Sequence, residues 1–281
     1  MASAPFDLLT TVSCSKIGTA QRCPRAFYWH YIMKIPVKRP WKMHAGSAVD
    51  AGLNHNYFHQ ALSGKPEPLS AIEDATREEF DKGTDVDWEY NNPDDVFDKC
   101  RGIVQVFRKE IIPTVNPGKD EDGLPLVQKR LSHYCKPLNA KLLGYVDLIE
   151  EDGTAVDNKT TYGKRWSALK NYNNHQAGSY VFLAQKELGS ATQKFRFDIA
   201  TSLKTKSVYN QYPLVVDEDY ISAVQSEQAN ILLYLRLACD HLNATGDDGL
   251  FFCNTQSNLC SKRYCQYAYL CEAELNIRIK N

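Results

Sequence analysis

No run of about 18 apolar residues occurs in the chain, so no membrane-spanning helix is expected. The opening stretch MASAPFDLLTTVSC lacks both a basic start and a continuous apolar segment of secretory type, so the chain is expected to stay in a reducing cytoplasm. An excess of charge is missing too: 33 Lys and Arg stand against 34 Asp and Glu, a formal net charge of -1. That balance is unusual for a protein that grips phosphates over a wide surface, so any contact with nucleic acid has to come from local basic patches. There is no internal repeat and no low-complexity segment, so neither a repeat array nor a disordered tract is expected. Close C-x2-C pairs are absent, which argues against a zinc ribbon. The 281 residues, 43% of them hydrophobic, can bury one large core, or one core with a helical subdomain.

Cysteine is present in quantity. Of nine, Cys253, Cys260, Cys265 and Cys271 crowd the C-terminal region. A disulfide framework does not suit a reducing compartment, where clustered thiols bind metal more often. Cys23, followed by Pro24, lies far upstream in an expected helical region, while Cys14, Cys100, Cys135 and Cys239 read as ordinary buried thiols.

The stretch Leu142 to Lys159, LLGYVDLIEEDGTAVDNK, carries the chemistry. Its first part is apolar and β-branched enough for a half-buried strand, and Glu151-Asp152-Gly153 has the signature of a tight hairpin turn. Asp157 and Lys159, two apart on the returning strand, share one face, and Asp147 can lie across from them. Cleaving a phosphodiester needs a hard cation, and Mg²⁺ prefers carboxylate oxygens, which Asp147 and Asp157 supply. An ammonium such as Lys159 can orient or deprotonate water and stabilise developing negative charge. A solvated ion pair at a strand edge is the plain alternative for so short a pattern. Farther on, Gln176 and Tyr180 stand at i and i+4, on one face of an expected helix.

Periodicity and punctuation give the remaining elements. Helices are expected over Ser15 to Met33, Gly46 to Leu62 and Asp94 to Ile112, with another opened by a capping box at Ser70 and Glu73. Thr114 to Gly123 reads as a surface linker. Strands follow at Leu124 to Cys135, Ala140 to Glu150 and Thr154 to Thr160, then the Gln176 helix. A hairpin, Lys194 to Leu203 and Ser207 to Leu214, precedes a helix from Glu218 to Leu242. The expected organisation is an N-terminal helical region (1–119), a core (120–215) and a long helix with a cysteine-rich tail (216–281).

In this order Gly144 to Asp147, Asp157 to Lys159 and Gln176 to Tyr180 resemble the G-x-x-D, D-x-K and Q-x-x-x-Y motifs of the PD-(D/E)xK nuclease superfamily, specifically its RecB-like branch. The resemblance implies an α/β fold with a restriction-endonuclease-like αβββαβ core and the activity of a Mg²⁺- or Mn²⁺-dependent DNA exonuclease. Such enzymes serve recombination, repair, replication, CRISPR adaptation or phage DNA metabolism. Asp147 and Asp157 would bind the metal with the Asn158 carbonyl; Lys159 would act on water and the transition state; Gln176 and Tyr180 would orient the lysine, water or phosphate. Cys23-Pro24 and the C-terminal cysteines are similar to iron-sulfur members of that branch, which implies a 4Fe-4S cluster on Cys23, Cys260, Cys265 and Cys271. The gap from Cys260 to Cys265 is longer than usual there, which leaves Cys253 as a substitute ligand, and four thiolates also suit a structural Zn²⁺. Two departures stand out. Asp50 occupies the place of a usual histidine, where it too can ligate a hard cation, and Gln128 stands where a glutamate is frequent. The missing histidine supports a second reading, a non-catalytic iron-sulfur subunit that binds DNA or assembles with others. A homo-oligomer, or a recombination or replication partner protein, remains open under either reading.

Two basic patches are candidates for DNA contact. One, with Arg22, Arg25, Lys34, Lys38, Arg39 and Lys42, is interleaved with Tyr28, Trp29, Tyr31 and Trp41, rings able to stack on unpaired bases. The other is Lys164-Arg165-Trp166, just past the D-x-K strand. A solvated helix face with its aromatics turned to the core is the plain alternative for the first.

Overall fold

The computed structural model describes residues 8–163, 175–189, 192–257, 259–262 and 264–280. In place of three consecutive regions, the chain forms two discontinuous compact units, one of Lys38–Leu131 with Gly144–Ile221, the other of Met1–Val37, Ser132–Leu143 and Ser222–Asn281.

The second unit gathers both ends of the chain. It starts with a short strand, β1 (Thr11–Ser13), and the helix α1 (Cys14–Arg22), capped by the Ser13 hydroxyl, which accepts from the Lys16 amide. One continuous helix from Ser15 to Met33 is not what forms. Pro24 crowds the residue before it out of the helical region, and Cys23 is extended at φ -163°, ψ 110°. The helix restarts as α2 (Pro24–Phe27) and widens into a π-helical turn over Tyr28–Ile32. Arg25 is not a surface residue: it is 4% exposed, with Nη1 2.9 Å from Asp248 Oδ2. Tyr28 and Trp29 are buried as well, Tyr28 against Phe251 and Trp29 against Tyr267. Those rings and Arg25 hold the two chain ends together and are unavailable for stacking on bases, and His30 Nδ1 adds a hydrogen bond with the Tyr267 hydroxyl at 2.8 Å.

In the first unit a two-residue strand, β2 (Arg39–Pro40), leads into α3 (Trp41–Ser63), which begins five residues earlier than expected with the buried Trp41 inside it. Helix α4 (Leu69–Asp81) starts directly after Pro68 with no side-chain cap, so Ser70 is already inside the helix. Glu73, expected to reach back to it, instead accepts from Gln105 at 3.1 Å. A short β3 (Val86–Asp87) pairs with β2, and α5 (Pro93–Val106) is capped by Asn92. It passes into a π-helical turn, Phe107–Ile111, and a 3₁₀ turn at Ile112–Thr114. Leu53, Tyr57, Ile72, Phe97, Ile103 and Phe107 form one core with Leu148, Val156 and Ala200 of the sheet.

Strands β4 (Val127–Cys135) and β5 (Ala140–Ile149) run from one unit into the other, and within the second unit β1 lies parallel to the start of β5. Gly153, at φ 83°, closes the hairpin to β6 (Ala155–Tyr162) as expected, its amide donating to Glu150 O. Helix α6 (His175–Leu188) precedes β7 (Lys194–Ser202), which lies parallel to β6 with Asn158 opposite Asp198. The antiparallel β8 (Ser207–Val215) completes the sheet, and the long α7 (Glu218–Thr245) and short α8 (Ala268–Glu274) follow. The expected αβββαβ order is therefore present as α3, β4, β5, β6, α6 and β7.

Arg196 anchors this sheet. Its guanidinium meets Glu150 at 2.7 Å and Asp198, fully buried, at 2.9 Å. Removing the cation leaves a buried carboxylate uncompensated. Arg196→Met is expected to lower unfolding stability by about 3–5 kcal/mol, read by urea denaturation.

Candidate active site

The hairpin register, Leu148 opposite Val156 and Ile149 opposite Ala155, places Asp147 opposite Asp157. Asp147 Oδ2 accepts from the Asn158 amide at 2.8 Å, which ties the carboxylate to the neighbouring strand. Asp157 is 1% exposed, and its two oxygens have different partners: Oδ1 accepts from Gln176 Nε2 at 2.6 Å, and Oδ2 meets Lys159 Nζ at 2.6 Å. Gln176 Nε2 also donates to the Tyr180 hydroxyl at 2.9 Å, so the i, i+4 pair does converge on this site.

Gly144 makes that convergence possible. A Cβ there would stand 2.9 Å from Tyr180 Cε1 and 3.0 Å from Leu183 Cδ1, so α6 lies against β5 only because position 144 has no side chain.

Asp50 joins from α3. Its Oδ2 accepts from Asn54 Nδ2, one helical turn on, and from Gln128 Nε2, both at 3.1 Å. The same Gln128 nitrogen donates to Asp147 Oδ1 at 3.1 Å, so a single amide links the two carboxylates. Gln128 holds a backbone φ of 47°, a left-handed conformation costly for a residue with a side chain. Asn54 is the partner the sequence motifs did not supply, while Gln128 stands where they place a glutamate. The spacing of Asp50 and Asn54 was a readable signal; the reach of Gln128 from a different element was not. The side-chain amide of Asn158, by contrast, is buried with neither Nδ2 nor Oδ1 hydrogen-bonded.

The carboxylates strain against one another. Loss of solvent, then the charges of Asp157 and Asp50, push the Asp147 carboxyl well above its usual range. Desolvation and the charge of Asp157 push Asp50 up to about 6 despite its bond to Asn54. Asp157 is raised by burial, against the pull of Lys159. Burial alone would lower the Lys159 pKa, but Asp157, Asp147 and Asp50 more than reverse it, and the ammonium keeps its proton. Three carboxylates around one ammonium suit a hard divalent cation, which would neutralise the remaining charge. Among the described residues no group of three or more His, Cys, Asp or Glu side chains is already placed to hold a metal ion.

The other expected sites lie elsewhere. Lys164 and Arg165 fall outside the described residues. Arg22 is exposed, its guanidinium donating to Gly18 O and to the Thr19 hydroxyl. In the second unit, Cys253 Sγ stands 3.3 Å from Cys271 Sγ and is also hydrogen-bonded with Cys23, whose thiol receives the Asn254 amide at 3.5 Å. The hydrogen bond with Cys253, then burial, pushes the Cys23 thiol upward. Cys260 and Cys265 are near enough for Cys23 to raise both thiols, after burial. Of the expected cysteines, Cys23 and Cys271 each contact Cys253. Cys100, Cys135 and Cys239 are buried as ordinary thiols.

The family model described as PD-(D/E)XK nuclease superfamily matches residues 11–272. A crystal structure from Eubacterium rectale, named "Putative exonuclease", is similar to the chain with a TM-score of 0.56 and 14% identity, covering 84% of this chain and 83% of that one. A second, the crystal structure of SSO0001, has a TM-score of 0.40 and 10% identity over 94% of this chain and 87% of that one. No curated protein matches.

Because the raised carboxyls favour the folded state only while protonated, each adds stability at low pH that is lost as pH rises; for Asp50 it is full below pH about 4 and lost as pH rises through about 6. For Asp50 alone, a rise of about two units amounts to about 3 kcal/mol. In EDTA, wild type is expected to lose stability relative to Asp50→Asn between pH 4 and 7, with Mn²⁺ restoring it to wild type alone. Parallel pH profiles for the two proteins would refute the carboxylate crowding.

Proposed function

We propose that this chain, which belongs to the PD-(D/E)XK nuclease superfamily, is a Mg²⁺- or Mn²⁺-dependent DNA exonuclease acting on strand ends. The observation that carries the reading is the group of Asp50, Asp147 and Asp157 drawn together around Lys159. A binding scaffold gains nothing from crowding three acids around a lysine, one acid fully buried and the others partly so, whereas metal-dependent phosphodiester hydrolysis uses such a donor set. The Eubacterium rectale structure of similar fold carries the name "Putative exonuclease".

Asp147 and Asp157 would hold the cation with the Asn158 carbonyl, and Asp50 would be a further oxygen donor. The cation would supply charge neutralisation at the phosphate and a more acidic water. Lys159, kept protonated by its acidic neighbours, orients the attacking water and balances charge developing on the phosphoryl oxygens. Gln176 fixes Asp157 through Oδ1 and leaves Oδ2 facing the lysine, and Tyr180 in turn fixes Gln176.

The histidine and glutamate expected from the resemblance are replaced by Asp50 and Gln128. The exchange keeps one carboxylate and one neutral partner at these two positions, and Gln128 hydrogen-bonds Asp50 to Asp147. That linkage weighs against the non-catalytic DNA-binding or assembly subunit, which the missing histidine otherwise favours. Among the described residues no helix is long and apolar enough to cross a membrane.

The thiol group is proposed to hold a 4Fe-4S cluster through Cys23, Cys260, Cys265 and Cys271, with Cys253 as the alternative ligand. The convergence of Cys23, Cys253 and Cys271 supports a thiophilic group there. A tetrahedral Zn²⁺ is the second reading, favoured by how closely Cys253 and Cys271 approach: a zinc-thiolate edge is about 3.8 Å, against 3.3 Å here.

Anaerobically purified protein is expected to release label from end-labelled DNA with Mg²⁺ or Mn²⁺ and not in EDTA. Lys159→Ala is expected to slow this by about 10²–10⁴-fold. A cluster-loaded, folded wild type without cleavage would favour the binding subunit. Cys265→Ser is expected to abolish visible absorbance and lower the melting temperature. A colourless wild type that contains zinc would establish the second reading of the thiols.

A further inference from the structure

A cleft in the first unit offers a chemistry that the carboxylate group does not supply. It has a volume of about 710 Å³ and lies between α5, which contributes Lys99 and Gly102, and the turn from β7 to β8, which contributes Lys206, Ser207 and Tyr209. The walls come close because position 102 has no side chain: a Cβ there would stand 3.1 Å from Ser207 Oγ.

The charge of the cleft is unbalanced in one direction. Its two acids already face cations, Asp98 Oδ1 at 3.5 Å from Arg101 Nη1 and Glu110 Oε1 at 2.9 Å from Lys109 Nζ. Lys99 and Lys206, from opposite walls, stand in no ion pair among the described residues, and Lys99 Nζ rests 5.4 Å from the centroid of the Trp41 ring. Lys204, exposed at the tip of the same turn, is another such cation. Tyr209 is 41% exposed on β8, a strand without a charged residue, so its ring is open to a flat partner. Unmatched ammonium groups beside an open aromatic ring complement a phosphate backbone whose bases are free to stack. A duplex keeps its bases stacked on one another, so the ring has a use only on unpaired ones.

The cleft also lies within reach of the carboxylate group. Lys159 pairs in register with Ile199, and Ser202, farther along β7, lines the cleft. At about 3.3 Å per residue this separation is about 10 Å along the strand, the length of about three stacked nucleotides.

We propose that this cleft holds single-stranded DNA, with phosphates on Lys99 and Lys206 and an unpaired base on Tyr209. The inference rests on the nuclease reading for its substrate and adds to it a preference for unpaired strands.

Fluorescence anisotropy of a labelled oligothymidylate, in EDTA so that no strand is cut, tests the cleft apart from catalysis. Wild type is expected to bind it more tightly than a blunt duplex of equal length. Tyr209→Ala is expected to weaken single-strand binding about 5- to 150-fold, while Tyr209→Phe, which keeps the ring, should bind as wild type does. Lys99→Gln/Lys206→Gln is expected to flatten the salt dependence of binding by about 1.4 in log-log slope, two phosphate contacts at about 0.7 each. Lys82→Gln, at the end of α4, serves as the control and should change neither affinity nor slope, and circular dichroism checks that every variant folds. In Mg²⁺, the cleft variants should raise KM for a single strand and keep kcat. Tighter binding of the duplex, or affinity and salt slope unchanged in all cleft variants, would overturn the inference even in a protein that cuts DNA. A protein that cuts nothing yet binds single strands through these residues would keep the cleft and lose the nuclease reading.

Discussion

Mutual repulsion among Asp50, Asp147 and Asp157, restrained by one ammonium, is the constraint on which the rest of the first unit depends. Carboxylates forced together out of solvent raise one another's pKa and oppose folding at neutral pH. The surrounding structure answers with directed donors. The Asn158 amide, Gln128, Gln176 and Lys159 each occupy an acidic oxygen, from three separate places in the sequence. A group that costs stability unless a cation enters it is arranged for catalysis rather than for holding a fold.

The second unit is organised around another kind of strain. Pro24 forces Cys23 out of the helix, and the break turns the thiol toward the C-terminal cysteines instead of leaving it on a continuous helical face. Arg25 and its aromatic neighbours hold the same junction by burial and charge. Arg25, Tyr28 and Trp29, which look like part of a nucleic-acid patch in sequence, are therefore spent on joining the chain's two ends, while Arg22, Lys34, Lys38, Arg39 and Lys42 stay exposed. Charge alone could not tell these uses apart, since a guanidinium serves a buried Asp248 contact as well as a phosphate.

The sheet was legible because its signals are local. Alternation marked β5 and β6, Asp152-Gly153 marked their turn, and the two-residue spacing of Asp157 and Lys159 set which side chains share a face. Helix starts were less legible. A Ser-x-x-Glu pattern is satisfied on paper at Ser70, but Pro68 caps α4 two residues too soon for it to act. Trp41 and its neighbours extend α3 because burial against the sheet outweighs the lack of a strong start signal.

By itself the sequence determined the order of elements, the pairing of Asp147 with Asp157 across a hairpin, and the Gln176 and Tyr180 face, since each depends on periods of 2 or 3.6 residues along one stretch of chain. Only the tertiary structure decided that one Gln128 amide bridges Asp50 to Asp147, and that Cys253 contacts both Cys271 and Cys23. Each of those contacts joins residues tens to hundreds of positions apart. No local periodicity encodes such a meeting; it follows from how helices and strands bury their apolar faces, and the polar groups must then find partners where that packing leaves them.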